Sequence, residues 1–207
     1  MGVQANHRQV RSLIVPQTDR WPGSGSTAAG SRVRTVLVPY DPSWPHQFEA
    51  AAEEIQKLGN SVWLVEHIGS TSVPGLAAKP IIDLAVRVCD GADFEAHRQR
   101  LEAGGWELGS SVRSHPVMVF ERDGRRLRIA HFFTADEWEH NNQRILRDWL
   151  LNHPEDMRRY EAAKVAAAEG AQQRGASYNA AKTAVIQSIV DRARADRGLP
   201  SVPVYDK

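Results

Sequence analysis

Cysteine is almost missing from this chain. One residue in 207, Cys89, carries a thiol, and a single thiol closes no intrachain disulfide and builds no cysteine-based zinc site. That usage suits a reducing compartment, so a cytoplasmic setting is the expectation. Long apolar runs are missing too. None approaches the roughly 20 residues that a membrane helix needs, and Leu13-Ile14-Val15 is too short for the core of a secretory leader. No membrane partner is expected. An excess of charge of either sign is lacking: 26 Lys and Arg face 25 Asp and Glu, leaving +1. Such a balance gives no global field for nucleic acid, and none is expected as a partner. No repeat with a period of 20–50 residues is visible, which sets solenoids aside. The length fits one ordinary domain, and 42% hydrophobic residues are enough for its core.

What is there is organised around residues 62–86. Val62-Trp63-Leu64-Val65 has the length of a strand, and Ile81-Ile82 with Leu84-Ala85-Val86 forms a second apolar run broken by one acid. Short apolar runs bounded by Gly and Pro read as strands. Between them lie Gly69, Ser70, Thr71, Ser72, Pro74, Gly75, Lys79 and Pro80. Gly69 lets the backbone approach a ligand closely. The three hydroxyl residues supply donors, and a short helix starting there would point N–H groups at an anion. Asp83 stands in an apolar run, where a carboxylate needs a reason to be. A phosphate cradle with an acid able to hold a divalent cation is the minimum kit for phosphoryl chemistry.

Gly69-Ser70 with Asp83 on a following strand resembles the nucleotidyltransferase superfamily signature. The fuller string from His67 through Asp83, His-Ile-Gly-Ser-Thr-Ser-Val-Pro-Gly-Leu-Ala-Ala-Lys-Pro-Ile-Ile-Asp, resembles the GrpB family. The resemblance implies an α/β (α+β) fold: a small mixed sheet with flanking helices and a C-terminal helical bundle. It also implies a nucleotide or other phosphorylated small molecule as ligand, with Mg²⁺ as the accompanying ion and Asp83 as its metal ligand. The superfamily pattern wants a second acid two residues after the first, and that position is Ala85. Two-metal transfer normally needs more than one carboxylate, so the alanine favours a module that binds phosphate without turnover.

Residues 1–34 read as a polar, linker-like tail and 198–207 as a second, leaving a domain over 35–197. Thr35-Val36-Leu37-Val38 predicts a first strand. Asp41-Pro42 predicts the start of a helix that ends at Gly59. Asp93 predicts the start of another, closed by Gly104-Gly105. Strands follow at Trp106-Glu107-Leu108 and Val117–Phe120, with a hairpin at Asp123-Gly124. The returning strand carries Arg126, Arg128 and His131. The family resemblance implies a His-Leu-His pattern near here. Arg126-Leu127-Arg128 stands in its place, so either the role has changed to phosphate contact by Arg128 or His131 has taken it over.

Thr134 and Glu137 form a capping box for a helix reaching Asn152, on which His140, Arg144 and Arg147 would share a face. Two more helices start at Pro154 and Ser177. The last carries Tyr178 and Lys182 four residues apart, a pair that resembles the family's C-terminal pattern and implies a cation for a triphosphate. The candidate site is thus Asp83 and His131 as the chemical pair. Around them stand His67, Gly69, Ser70, Thr71, Ser72, Lys79, Arg128, His140, Arg147, Tyr178 and Lys182 for the phosphates. The rival functions are a nucleotidyltransferase-like enzyme, a phosphate-binding module, and a non-catalytic partner domain.

Overall fold

The computed structural model describes residues 13–15, 35–109, 114–171 and 177–204. Its frame is a five-stranded mixed sheet in the order β3-β4-β7-β6-β5. The strands are β3 (Leu64–Ile68), β4 (Ile82–Arg87), β5 (Trp106–Leu108), β6 (Val117–Arg122) and β7 (Arg125–Phe133). The pairs β3/β4, β5/β6 and β6/β7 are antiparallel, while β4 and β7 run parallel at the centre. A separate two-stranded ribbon joins β1 (Leu13–Val15) to β2 (Thr35–Leu37). Strand β1 lies inside the stretch that reads as a tail.

The β6–β7 hairpin turns at Asp123 and Gly124, both with positive φ (53° and 69°). That conformation matches the twist of the flanking strands, and the Asp-Gly pair is suited to it. Along β4 the residues alternate. Ile82, Leu84 and Val86 bury themselves with Ala130, Phe132, Met118 and Phe120 beneath α1 (Trp44–Leu58) and α2 (Gly91–Ala103). Asp83 and Ala85 take the other face, where Ala85 packs with Ile68, Phe133 and Trp138.

Several element starts fall elsewhere than the sequence suggests. Asp41 Oδ1 accepts from Ser43 N at 2.8 Å, so the acid organises the turn and α1 begins two residues later than Pro42. Asp90, not Asp93, caps α2 by accepting from Asp93 N at 2.8 Å. Asp93 instead receives the indole N–H of Trp63 at 2.7 Å. The helix expected from Thr134 to Asn152 is two: α3 (Ala135–Trp138) and α4 (Asn142–Asn152). Asn141 causes the break, because its Oδ1 accepts from Gln143 N (2.7 Å) and Arg144 N (3.1 Å) and starts a new helix.

With α5 (Pro154–Ala171) and α6 (Ser177–Asp196), α4 forms the C-terminal bundle. It packs Leu150, Ile189, Trp149 and Tyr160 against Val73 and Leu76 of the loop between β3 and β4. Residues 201–204, expected as loose, fold back on α6: Ser201 Oγ donates to Asp191 at 2.7 Å and Val204 N to Gln187 at 2.7 Å. No helix among the described residues is long and apolar enough to cross a membrane.

Candidate functional site

The site grows from the end of β3. Ile68 pairs with Asp83 across the antiparallel ladder, so the chain leaving β3 passes directly over the acid. It does so through Gly69, whose φ is 72°. A Cβ added there would fall within the Asp83 carboxylate, so only glycine brings the backbone this close. A single 3₁₀ turn, Ser70–Ser72, follows, as the small hydroxyl residues suggest.

The three hydroxyls of that turn have different tasks. Thr71 is buried and donates to Ile81 O at 3.2 Å, while accepting from His67 Nε2 at 3.0 Å. Ser72 donates to Gly69 O at 2.6 Å and holds the turn shut. Ser70 turns toward α5, its part-buried hydroxyl 3.3 Å from Tyr160 OH. His67 is likewise used inside the fold. Its ring stacks on Phe48, with centroids 4.8 Å apart and planes 2° apart. Burial, together with the nearby Arg147 guanidinium, pushes its pKa down to about 4. The imidazole is therefore neutral at pH 7, and its contribution to the turn is structural.

Asp83 is partly open to solvent, and His131 Nε2 lies 4.0 Å from its Oδ1. His131 is 1% exposed. Its other nitrogen, Nδ1, is 2.9 Å from His115 Nε2, and His115 Nδ1 is 2.9 Å from Ser114 Oγ. The His115 ring rests on Phe133, centroids 4.2 Å apart. Of the two sequence alternatives on β7, His131 is thus the one beside the acid. Arg128 is paired with Ile82 in the parallel register and so lies on the opposite face. There it donates to Glu54 of α1 at 2.6 Å and covers the Phe120 ring. Its place corrects the expectation of a phosphate contact: strand alternation carries it away from Asp83.

His140 is also displaced. It sits exposed in the turn between α3 and α4, off the helix face it was expected to share. Arg144 and Arg147 do share that face, and both grip Glu66, at 2.9 and 2.7 Å. Burial pushes the Glu66 pKa up, but these two guanidiniums outweigh it and hold the carboxyl below its ordinary range. Arg147 also donates to His67 O at 2.8 Å, so it steadies β3. Lys79 is exposed on the loop before β4. The side chains of Tyr178 and Lys182 lie outside the described residues.

Sequence reasoning missed three participants. Tyr160 places its hydroxyl on Ser70, and burial raises its pKa, with the negative Asp83 adding to the rise. Lys164, one helical turn later, donates to Ala77 O at 2.6 Å and lies 5.3 Å from the Tyr160 ring centroid. The spacing of four between Tyr160 and Lys164 was the available signal. His115 left none, because its partner is brought to it only by the sheet.

The donor set does not fit a two-metal centre. Asp83 has Ala85, buried, where a second acid would stand. Glu66 is neutralised by two arginines, and Glu121 is at the hairpin end with Arg126 at 3.3 Å. Among the described residues no three His, Cys, Asp or Glu are grouped to hold a metal ion.

The model of the family described as GrpB protein matches residues 34–192. The chain belongs to the GrpB family. A UPF0157 protein of Halalkalibacterium halodurans is 36% identical over 72% of this chain and 76% of its own length. The crystal structure of conserved protein GrpB from Enterococcus faecalis superposes with a TM-score of 0.69 at 28% identity, covering 78% of this chain and 99% of that one. A much weaker likeness, TM-score 0.38 at 12% identity over 55% of this chain and 42% of the other, is to the Cid1 poly(U) polymerase with bound MgGTP. Nothing about activity follows from it. The GrpB match spans the turn, Asp83, His131 and Tyr160, so the whole candidate site lies within the family's domain.

Proposed function

We propose that this GrpB domain binds a nucleotide or another phosphorylated small molecule over the Gly69–Ser72 turn, and that it acts as a binding module rather than a two-metal nucleotidyltransferase. One observation carries the reading: the Ser70 and Tyr160 hydroxyls converge 3.3 Å apart at a turn whose backbone is pressed against Asp83. Two hydroxyls at this spacing can donate to two oxygens of one phosphate. Lys164 supports them with positive charge from the next turn of α5. A magnesium ion that arrives on the nucleotide's own phosphates is compatible with this arrangement, in which no three His, Cys, Asp or Glu of the described residues are grouped to hold a metal ion.

The test is calorimetric titration of the full chain with ATP, GTP, coenzyme A and inorganic phosphate, with and without Mg²⁺. At least one is expected to bind. Ser70→Ala should weaken it by about fivefold, the loss of one hydrogen bond of ~1 kcal/mol, while the melting temperature stays within a degree or two. Failure of every phosphate ligand to bind the parent overturns the reading. Nucleotidyl transfer is the second reading, favoured by the retained Gly69-Ser70 and Asp83. Its test is pyrophosphate release from the bound triphosphate.

A further inference from the structure

The hairpin between β6 and β7 carries a charge pattern that neither the core nor the phosphate site uses. Arg122 and Arg125 flank the Asp123-Gly124 turn and stand directly opposite each other in the ladder. Cross-strand neighbours of like charge destabilise a hairpin, and in such a pair the Cα atoms are only about 5.5 Å apart. Both residues are exposed. Among the described residues no carboxylate forms an ion pair with either of them. The neighbouring acids are already engaged: Glu121 accepts from Arg126 at 3.3 Å and Glu54 from Arg128 at 2.6 Å.

A bulge gathers these groups on one face. Phe120 pairs with Arg128 and Glu121 with Arg126, so Leu127 is an extra residue in β7. An extra residue resets the alternation of the strand. Arg125, Leu127 and Arg128 thereby come to the side of Phe120 and Arg122. The guanidiniums of Arg122 and Arg128 both lie over the Phe120 ring, 5.7 and 4.9 Å from its centroid, which restrains them. Arg122, Asp123, Arg125 and Leu127 line an open hollow of about 440 Å³. Its side of the sheet is that of α1, since Arg128 reaches Glu54 of that helix. Asp83 is on the other side.

We propose that the tip of this hairpin docks an acidic segment of a partner protein, with one carboxylate for each of Arg122 and Arg125 and an apolar side chain against Leu127. A guanidinium is a planar fork that takes a carboxylate through two parallel hydrogen bonds. Alternate residues of an extended peptide share a face about 6.8 Å apart, a spacing that the two long arginine side chains can meet together. Asp123 in the hollow, with Glu121 and Glu54 nearby, repels a longer run of negative charge. The tip therefore suits a short pair of acids better than a chain of phosphates. Incoming carboxylates also relieve the repulsion between the two arginines. Docking here is independent of the phosphate site, which lies across the sheet.

The test is fluorescence anisotropy of the full chain at low ionic strength with a labelled peptide, Gly-Glu-Ser-Glu-Ser-Leu-Gly. When extended, it puts both acids and the leucine on one face. The same peptide with Gln for Glu, and a short oligothymidylate, are the comparisons. The parent should bind the acidic peptide roughly fivefold or more tightly than the glutamine peptide, and added salt should weaken that binding. Arg122→Gln and Arg125→Gln together should lower the affinity for it roughly tenfold. The melting temperature should hold or rise, because the like-charge pair is gone. Equal affinity for the two peptides, or unchanged binding in the double variant, overturns the proposal. Tighter binding of oligothymidylate, lost in the double variant, also overturns it and makes the tip a nucleic-acid contact. A lower melting temperature in the double variant overturns it as well, since the arginines would then be structural.

Discussion

His67 shows how one side chain can look like a ligand contact and act as a structural part. It stands two residues before the Gly69-Ser70 turn, where a sequence reader places a phosphate donor. Its Nε2 is on Thr71 and its ring on Phe48, neither visible in a string of letters. The neutral state has a consequence for stability. In the unfolded chain the imidazole titrates near 6.5, whereas in the fold its pKa is about 4. Between these values the unfolded state binds a proton that the folded state does not. Stability is complete above the upper value, falls as pH drops through the window, and has lost the whole contribution below the lower one. The span is worth about 3 kcal/mol. Urea unfolding at pH 7.5 and 4.5 should show the parent losing roughly 2–3 kcal/mol more than His67→Gln. Equal losses would show that the ring is not held neutral. Asp83 and Gly69 were legible as a site because a lone acid in an apolar strand and a glycine at its entry are local anomalies. Arg128 and His131 were not separable, since only the register of β7 on β4 tells which face each occupies.

At the scale of elements, most of the sheet was readable. The apolar run Val117–Phe120 marked β6, the Asp-Gly pair marked the hairpin, and Gly59 and Gly104 marked helix ends. Boundaries failed where two capping residues competed. Asp90 and Asp93 are both good caps, and the earlier one wins because Asp93 is drawn to the Trp63 indole. Asn141 was read through, because a capping box upstream and apolar residues downstream suggest one continuous helix. In the fold it caps α4 and is only 7% exposed. Asn141→Ala should therefore cost about 1 kcal/mol, read from the urea midpoint, and should lower the helical circular dichroism signal slightly. No change would mean that Thr134 alone starts the helical segment. The arginines of α4 depend on this start: Arg144 can hold both Glu66 and Trp138 O (2.7 Å) only from its first turn.

For the molecule as a whole, the small mixed sheet with flanking helices was what the resemblance to the GrpB family implied, and the fold has it. The strand order was not legible, because it depends on pairings distant in sequence. That order also sets how the protein assembles itself. Strands β5, β6 and β7 are neighbours in the chain, and so, across one loop, are β3 and β4. Each group zips through short-range contacts, which form fast. The parallel pairing of β4 with β7 is a closure between distant segments and bears the larger entropic cost. Asp83 is on one side of that seam and His131 on the other. The site therefore has no partial existence: it comes into being when the two half-sheets meet. In pulse-labelled hydrogen exchange during refolding, amides of the β6–β7 hairpin should gain protection before those of β4. Protection of β4 ahead of the hairpin would reverse the order. Under the proposed function, competence to bind a phosphate ligand should then appear together with β4 protection, so that recovery of binding reports the final step of folding.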